Sequence, residues 1–145
     1  MKQQQGGVII LEQKLSGRCL CGNVQFAANG EPISTVNCHC DDCRQTTGAV
    51  FGTVLYFQRG DIEIHGVLNA HTHKSERGTE VQKRFCGNCG STLFTYPAAW
   101  PDLIGIRAGC ITQPAKITPQ KNVFMSSRLD STSVDPNLQQ FPAMP

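Results

Sequence analysis

The stretch RFCGNCGSTLF, residues 84–94, places two cysteines around Gly-Asn, directly before an apolar run that is typical of a strand. A similar turn occurs near the start of the chain, because CLCGN at residues 19–23 and CGNCG at residues 86–90 both follow a cysteine with Gly-Asn. A glycine after a ligand cysteine lets the chain turn so that backbone N–H groups point at the sulfur, which lowers the pKa of the thiol. Two such turns predict one tetrahedral zinc site with four thiolate ligands. The four ligands are Cys19, Cys21, Cys86 and Cys89.

This four-cysteine site would connect the beginning of the domain to its middle, since its two halves are far apart in the sequence. The alternative is that these residues are buried or free cysteines without a metal. Isolated structural cysteines have no reason to occur in spaced pairs, so the spacing favours the metal.

Three further cysteines lie close together in NCHCDDCRQTTG, residues 37–48. Cys38, Cys40 and Cys43 can surround one ion with three sulfurs, and no fourth cysteine is nearby in the sequence. Three protein ligands with an open fourth position are typical of a catalytic zinc site. Three thiolates reduce the Lewis acidity of the ion, so an incoming thiolate needs a positive neighbour, for which Arg44 is the nearest candidate. The alternative for Arg44 is an ordinary salt bridge on the surface.

The composition of the chain indicates one domain without an obvious charged partner. At 145 residues it is long enough to bury a core of its own. The formal net charge of +2 comes from 13 Lys+Arg against 11 Asp+Glu, without a basic run, so we expect no nucleic-acid partner. No apolar segment approaches the roughly 18 residues of a membrane span, so we expect no membrane association.

The eight cysteines are an even number, which would also suit a set of disulfides. Their Cys-x-Cys and Cys-x-x-Cys spacing instead favours metal binding, because disulfides usually join distant loops. The N-terminus has only a four-residue apolar run, shorter than the core of a signal peptide. We therefore expect a cytoplasmic protein with reduced thiols.

The pattern of apolar residues predicts a mostly β domain over residues 16–145, preceded by a flexible extension at residues 1–15. A short helical turn is expected after Cys40, and the proline-rich tail from Thr112 is expected to wrap the domain in extended form. Strands are predicted in NVQFAANG (23–30), near residues 53–57 and 62–65, in STLFTY (91–96) and in LIGIRAG (103–109).

Four motifs together resemble the glutathione-dependent formaldehyde-activating enzyme family, which shares its domain with centromere protein V. In chain order they are SGRCLCGNVQF (16–26), VNCHCDDCRQTTGAVF (36–51), RFCGNCGSTLF (84–94) and SSRLD (126–130). The resemblance implies a zinc-bearing β-tent of antiparallel sheets with two zinc ions per chain. It also implies a structural zinc at the four-cysteine site and a catalytic zinc at Cys38, Cys40 and Cys43.

The reaction that the resemblance implies is the addition of glutathione to formaldehyde, giving S-hydroxymethylglutathione, in the class of carbon–sulfur lyases. A thiol that enters the open position of the second site would lose its proton to become a nucleophile at neutral pH. Glutathione and an aldehyde are therefore the expected substrates. The competing hypothesis is a non-catalytic zinc module that binds a protein or small ligand. Chromatin or microtubule binding is the least favoured, since a basic extension is lacking.

One position departs from the family, where AGCIT (108–112) stands in place of the common Gly-Thr-Leu-Asp. Cys110 is predicted to be a small buried side chain, although it could instead complete the second site as a fourth ligand.

Four other side chains near the motifs have open roles. His39 lies between two ligand cysteines, so its side chain is predicted to point away from the metal. His71 and His73 are predicted to lie in a solvated loop rather than to bind a third metal. Trp100 is either the flat wall of a pocket or an aromatic side chain of the core or of a turn.

Overall fold

The computed structural model describes residues 15–145, which form eleven β-strands and one short α-helix, α1, at Asp41–Thr47. The strands are β1 (Leu15–Arg18), β2 (Gln25–Ala28), β3 (Ser34–Cys38), β4 (Gly52–Gln58), β5 (Ile62–His65), β6 (Leu68–Lys74), β7 (Glu80–Cys86), β8 (Thr92–Pro97), β9 (Leu103–Arg107), β10 (Lys121–Val123) and β11 (Gln139–Gln140). Among these residues, no helix has the length and apolar character that crossing a membrane requires.

The strands form two sheets. A three-stranded antiparallel sheet has the order β1-β2-β5, and an eight-stranded sheet has the order β11-β10-β3-β4-β9-β8-β7-β6. The larger sheet is mixed, because β10 pairs in parallel with both β3 and β11. The mostly β single domain that the sequence predicts is thus confirmed, with the correction that the larger sheet is not wholly antiparallel.

The larger hydrophobic core contains residues from both sheets. Phe26 of β2 meets Phe94 of β8 edge to face, with ring centroids 5.3 Å apart. Gly17 leaves room for the Phe26 ring, since a Cβ at this position would clash with that ring and with the carbonyl oxygen of Cys110. The three-stranded sheet therefore covers one face of the eight-stranded sheet.

The other face of the eight-stranded sheet carries a second, smaller cluster. Side chains alternate along a strand, so Leu55 and Phe57 of β4 enter the larger core while Val54 and Tyr56 face the opposite way. The cysteines Cys38, Cys40 and Cys43 pack in this second cluster. The sheet thus separates a packed core from a face that is available for chemistry.

The predicted strands agree with β2, β4, β5, β8 and β9, whereas β1, β3, β6 and β7 were not predicted. The loop predicted around His71 and His73 is wrong, because both residues lie in β6. Strands are recognised by apolar alternation, and the exposed strand β6 shows almost none.

Both ends of the chain add detail to the predictions. The predicted N-terminal extension lies outside the described residues except for Leu15, which is buried in β1. The tail contributes β10 and β11 at one edge of the large sheet. The helix after Cys40 spans seven residues, which is longer than the single turn predicted.

Candidate metal centres and the adjoining pocket

The four-cysteine cluster is formed by the turn between β1 and β2 and the turn between β7 and β8. Its Sγ atoms lie within 4.8 Å of one another. The Sγ atom of Cys21 is 3.6 Å from that of Cys19 and 3.7 Å from that of Cys86. Zn–S bonds of about 2.3 Å in a tetrahedron place sulfurs about 3.8 Å apart, whereas a disulfide needs about 2.05 Å. All eight cysteines are free thiols, so the spacing and the donor set fit a metal ion.

Backbone N–H groups point at the sulfurs of this cluster, as the glycine turns predict. Val24 N–H donates to Cys19 Sγ at 3.2 Å, and Asn88 N–H donates to Cys86 Sγ at 3.4 Å. Gly22 (φ 82°) and Gly90 (φ 79°) have the left-handed backbone that closes each turn. Such donors stabilise thiolates, which are the form that binds metal.

Ser91 connects the two halves of the four-cysteine cluster. Its hydroxyl accepts a hydrogen bond from the N–H of Leu20 at 3.0 Å and lies 3.2 Å from Cys89 Sγ. The hydrogen bond with the Ser91 hydroxyl, together with backbone N–H groups, lowers the pKa of Cys89 to about 5. These donors favour the thiolate form of Cys89, which is the form that binds metal.

The three-cysteine cluster forms where β3 passes into α1. Cys38 ends β3, and Cys40 is the N-cap residue whose Sγ accepts a hydrogen bond from the N–H of Cys43 at 3.3 Å. The three sulfurs lie within 4.8 Å of one another, and all three residues are buried. The cap thus folds the Cys-x-Cys-x-x-Cys segment so that its sulfurs converge on one point.

Two buried cations adjoin the three-cysteine cluster. Arg107 of β9 is 4% exposed and its Nη1 donates to Cys43 Sγ at 3.6 Å. Lys83 of β7 is 7% exposed and donates to Thr95 Oγ1 at 3.4 Å. Among residues 15–145, neither cation pairs with a carboxylate. Burying unpaired charge is unfavourable, so these cations require the negative charge of thiolates nearby.

The pKa of Cys43 reflects this environment. Hydrogen bonds from Cys38 and Cys40 and then the charges of Arg107 and Lys83 hold it far below its ordinary value, although burial opposes the shift. A soft thiolate set of this kind fits zinc better than magnesium or calcium, which prefer oxygen ligands.

A pocket of about 320 Å³ opens beside the three-cysteine cluster. Its floor is a row of side chains on one face of the large sheet, because Lys83 is opposite Thr95 in the register and Val54 is opposite Arg107. Trp100, which is 44% exposed, and Pro97 belong to the wall. The lining includes Cys38, Cys40, Cys43, Val54, Tyr56, His73, Glu76, Arg77, Val81, Lys83, Thr95, Pro97, Trp100, Arg107, Phe124 and Met144.

Phe124 closes the pocket at the tail of the chain in an uncommon backbone conformation. Its φ of 56° lies in the left-handed region, which costs a residue other than glycine about 1–2 kcal/mol. The N–H of Met125 donates to the carbonyl oxygen of Phe141 at 3.0 Å, so a second tail segment holds this turn in place. The tail therefore shapes the pocket as well as the sheet edge.

Arg44 lies beside the cluster but is directed elsewhere. Its Nη1 donates to the carbonyl oxygens of His39 (2.7 Å) and Ser127 (2.6 Å), and its Nη2 pairs with Asp41. Arg44 does not contribute to the pocket lining, whereas Arg107 does. The guanidinium group that contacts a cluster sulfur is therefore that of Arg107.

His39 points away from the cluster, which confirms the prediction. Its ring is fully buried, contacts the ring of Phe51 at 4.8 Å and lies 3.4 Å from Asn122 Oδ1. On the other hand His73, predicted to be solvated, lines the pocket, and its Nδ1 is 3.9 Å from Asp42 Oδ2.

Cys110 belongs to neither cluster. Its thiol donates to the carbonyl oxygen of Thr92 at 3.4 Å, and it packs against the larger core. Burial and then the nearby thiolates of Cys19 and Cys89 raise the pKa of Cys110 to about 11. Because the Cys110 sulfur lies outside both groups of converging sulfurs, the geometry supports packing rather than a role as fourth ligand of the second site.

Lys83, Arg107 and Tyr56 are the pocket residues that the sequence analysis missed. The available signal was a charged residue within an apolar strand, as with Arg107 at the end of LIGIR. Their convergence depends on the pairing of β4, β9, β8 and β7, which the sequence does not give.

The comparison with known families agrees with this geometry. The profile described as glutathione-dependent formaldehyde-activating enzyme matches residues 14–127, which include all seven cysteines of the two clusters. This chain belongs to that family.

Individual relatives are distant. A Halomonas elongata protein named "Putative glutathione-dependent formaldehyde-activating enzyme" is 25% identical over 129 residues, covering 83% of this chain and 81% of its own. An "Uncharacterized lyase" of Schizosaccharomyces pombe is 28% identical over 78 residues, or 54% of each chain. The crystal structure of a Rhodobacter sphaeroides protein superposes with a TM-score of 0.52 at 19% identity, covering 87% of this chain and 98% of that one. This last likeness concerns the fold alone.

Proposed function

We propose that this protein is a zinc enzyme that adds glutathione to formaldehyde and cleaves the same adduct in reverse, as a carbon–sulfur lyase. The observation that carries the proposal is the position of Cys38, Cys40 and Cys43 in the lining of a pocket, with Arg107 against one of the sulfurs. Family membership and the lyase name of a relative support the same chemistry. A cytoplasmic location, where glutathione and reduced thiols coexist, is part of the proposal.

In this proposal, Cys38, Cys40 and Cys43 hold one zinc ion, and Cys19, Cys21, Cys86 and Cys89 hold another. When bound at the three-cysteine cluster, zinc supplies an open position at which a substrate thiol becomes a thiolate. Such a thiolate adds to an existing set of three negative charges. The buried cations Arg107 and Lys83 offset this accumulation, which is the role the sequence analysis assigned to Arg44.

The remaining pocket residues suit a small peptide thiol. Trp100, Pro97 and Val81 provide apolar walls. Glu76 and Arg77, in the exposed turn between β6 and β7, place opposite charges at the mouth. Glutathione carries an ammonium group and two carboxylates, so such a mouth can contact both kinds of charge.

The test measures how fast the free reactants, glutathione and formaldehyde, interconvert with their adduct. NMR at equilibrium gives this exchange rate. The rate must be compared with the uncatalysed exchange, because thiols add to formaldehyde without an enzyme. We expect acceleration by the zinc-loaded protein and none by Cys43→Ser. Wild-type protein that carries zinc, binds glutathione and yet leaves the exchange at the background rate would contradict the enzyme and favour the non-catalytic binding module.

A further inference from the structure

Arg107 has hydrogen-bond donors that no described residue uses. Its Nη1 donates to Cys43 Sγ at 3.6 Å, but Nε and Nη2 are buried without a partner. The side chain is 4% exposed and lines the pocket. An arginine is always charged, and its planar fork suits anionic oxygen. The protein therefore keeps, in a side chain that lines the pocket, two buried charged donors that no hydrogen bond within residues 15–145 uses.

The surroundings show that this position of Arg107 is built into the fold. A Cβ at Gly52 of β4 would lie 2.7 Å from Arg107 Nη1, so any other residue there would have to displace the guanidinium from its place beside Cys43. Lys83 adds a second buried cation to the same face of the sheet and donates a hydrogen bond to Thr95. Two neighbouring cations repel each other, so each makes the charged form of the other less favourable. A bound anion would reduce this repulsion.

The position of Cys43 indicates which anion the donors meet. Because Nη1 contacts Cys43 Sγ, the free donors of the same guanidinium lie close to where a substrate sulfur joins the cluster. In a thiol–aldehyde adduct, the oxygen is attached to the carbon that is bonded to sulfur. The carboxylates of glutathione are many bonds from its sulfur and belong nearer the mouth. We propose that Nε and Nη2 of Arg107 bind the oxygen anion that forms on the aldehyde carbon, an inference that rests on the proposed function.

The proposed step balances without an additional reactant. A lone pair of the substrate thiolate forms the carbon–sulfur bond, and the π electrons of the carbonyl group move to its oxygen. Arg107 stabilises that alkoxide, which then takes a proton from water and so replaces the proton that the thiol released to solvent. In reverse, loss of that proton and breakage of the carbon–sulfur bond return thiolate and aldehyde. Donors placed where charge develops are effective because they need no reorganisation during the reaction.

The first experiment measures the anion site alone, with formate as the probe. Binding to the zinc-loaded protein is detected by saturation-transfer NMR on the formate proton. Chloride is the background salt, and the ionic strength is held constant. We expect Arg107→Gln to weaken formate binding about tenfold, in line with loss of a charge-assisted hydrogen bond. Arg59→Gln is the matched control, since Arg59 stacks on Tyr96 outside the pocket and should leave formate binding unchanged. Equal binding by wild type and Arg107→Gln would overturn the proposal.

The second experiment separates the oxygen anion from a carboxylate of glutathione. Trp100, the single tryptophan of the chain, lines the pocket and reports glutathione affinity by fluorescence. We expect Arg107→Gln to weaken glutathione binding by about tenfold at most, since the lost charge also offsets that of the bound thiolate, while exchange at saturating glutathione falls about a hundredfold. If affinity is lost and the saturated rate is unchanged, the guanidinium binds a carboxylate and the oxygen-anion assignment is wrong.

Two further variants cover the case in which Arg107→Gln loses zinc or fails to fold. Arg107→Lys keeps a cation near Cys43 but not the fork, so it should retain zinc by elemental analysis and still lose most of the rate. Gly52→Ala should displace the guanidinium and reduce formate binding. Full rates in both variants would overturn the proposal. A wild type that binds formate but not glutathione would refute the proposed function while leaving the anion site in place.

Discussion

The two cysteine clusters differ in almost every property except their ligand type. The four-cysteine cluster joins two turns that are distant in sequence and includes the exposed Cys21. The three-cysteine cluster comes from one short segment, is buried, and adjoins cations and a pocket. One set of ligands is complete and connects parts of the fold, whereas the other is incomplete and faces space for a substrate. The same kind of metal ion would therefore stabilise the fold at the four-cysteine cluster and take part in chemistry at the three-cysteine cluster.

The largest effect should follow from breaking the four-cysteine cluster with Cys86→Ser. Structural zinc contributes about 10–16 kcal/mol in small zinc modules, as much as the roughly 5–15 kcal/mol that stabilises a whole domain. We expect insoluble or largely unfolded protein, measured by soluble yield and circular dichroism. Cys110→Ser is the control, since that thiol lies outside both clusters. A Cys86→Ser protein that melts like wild type would remove the structural role.

Cys43→Ser should have a smaller effect on folding and a larger one on function. The cluster is local in sequence, so its metal should contribute less to the tertiary structure. We expect a folded protein that contains one zinc ion rather than two and no longer binds glutathione, by elemental analysis and Trp100 fluorescence. If this variant unfolds as completely as Cys86→Ser, both clusters are structural and the binding module becomes the better account.

Lys83→Met should show whether Lys83 contributes to glutathione binding or to the stability of the fold. Burial disfavours the charged ammonium group of Lys83, and the positive charge of Arg107 adds a smaller effect in the same direction. Both lower the pKa of Lys83. Replacing a buried charge with an apolar side chain of similar length is often neutral or stabilising, here by about 1 kcal/mol. We expect an unchanged or higher melting temperature together with about tenfold weaker glutathione binding. Lys74→Met, at the exposed end of β6, is the control. Marked destabilisation by Lys83→Met would show that the lysine serves the fold.

The smallest effect should come from Cys110→Thr, which introduces the residue that the resemblance to the family predicts at this position. The Cys110 thiol donates to Thr92 O, and a threonine hydroxyl can do the same. We expect unchanged zinc content and a change in unfolding free energy of about 1 kcal/mol or less. Loss of one zinc ion from this variant would make Cys110 a ligand and contradict an open second site.

The two clusters could be predicted from the sequence because metal-binding cysteines occur at short, characteristic spacings along the chain. Both groups of sulfurs in the structure are the ones that the Cys-x-Cys and Cys-x-x-Cys patterns predict. The pocket could not be predicted in this way, because Lys83, Tyr56 and Arg107 meet only through the strand order of the large sheet. Arg44 was chosen as the positive neighbour since it is close in sequence, yet its donors go to backbone carbonyls and Asp41.

The most direct test of the central claim is the zinc content of native protein during removal by a mild chelator. The protein should be prepared under reducing conditions without chelator, and its zinc and its circular dichroism followed together. We predict two zinc ions per chain, of which the one beside the pocket leaves first while the fold persists and the second leaves only with unfolding. A single zinc ion per chain, or two that leave together as the protein unfolds, would contradict the division into a structural and an open site.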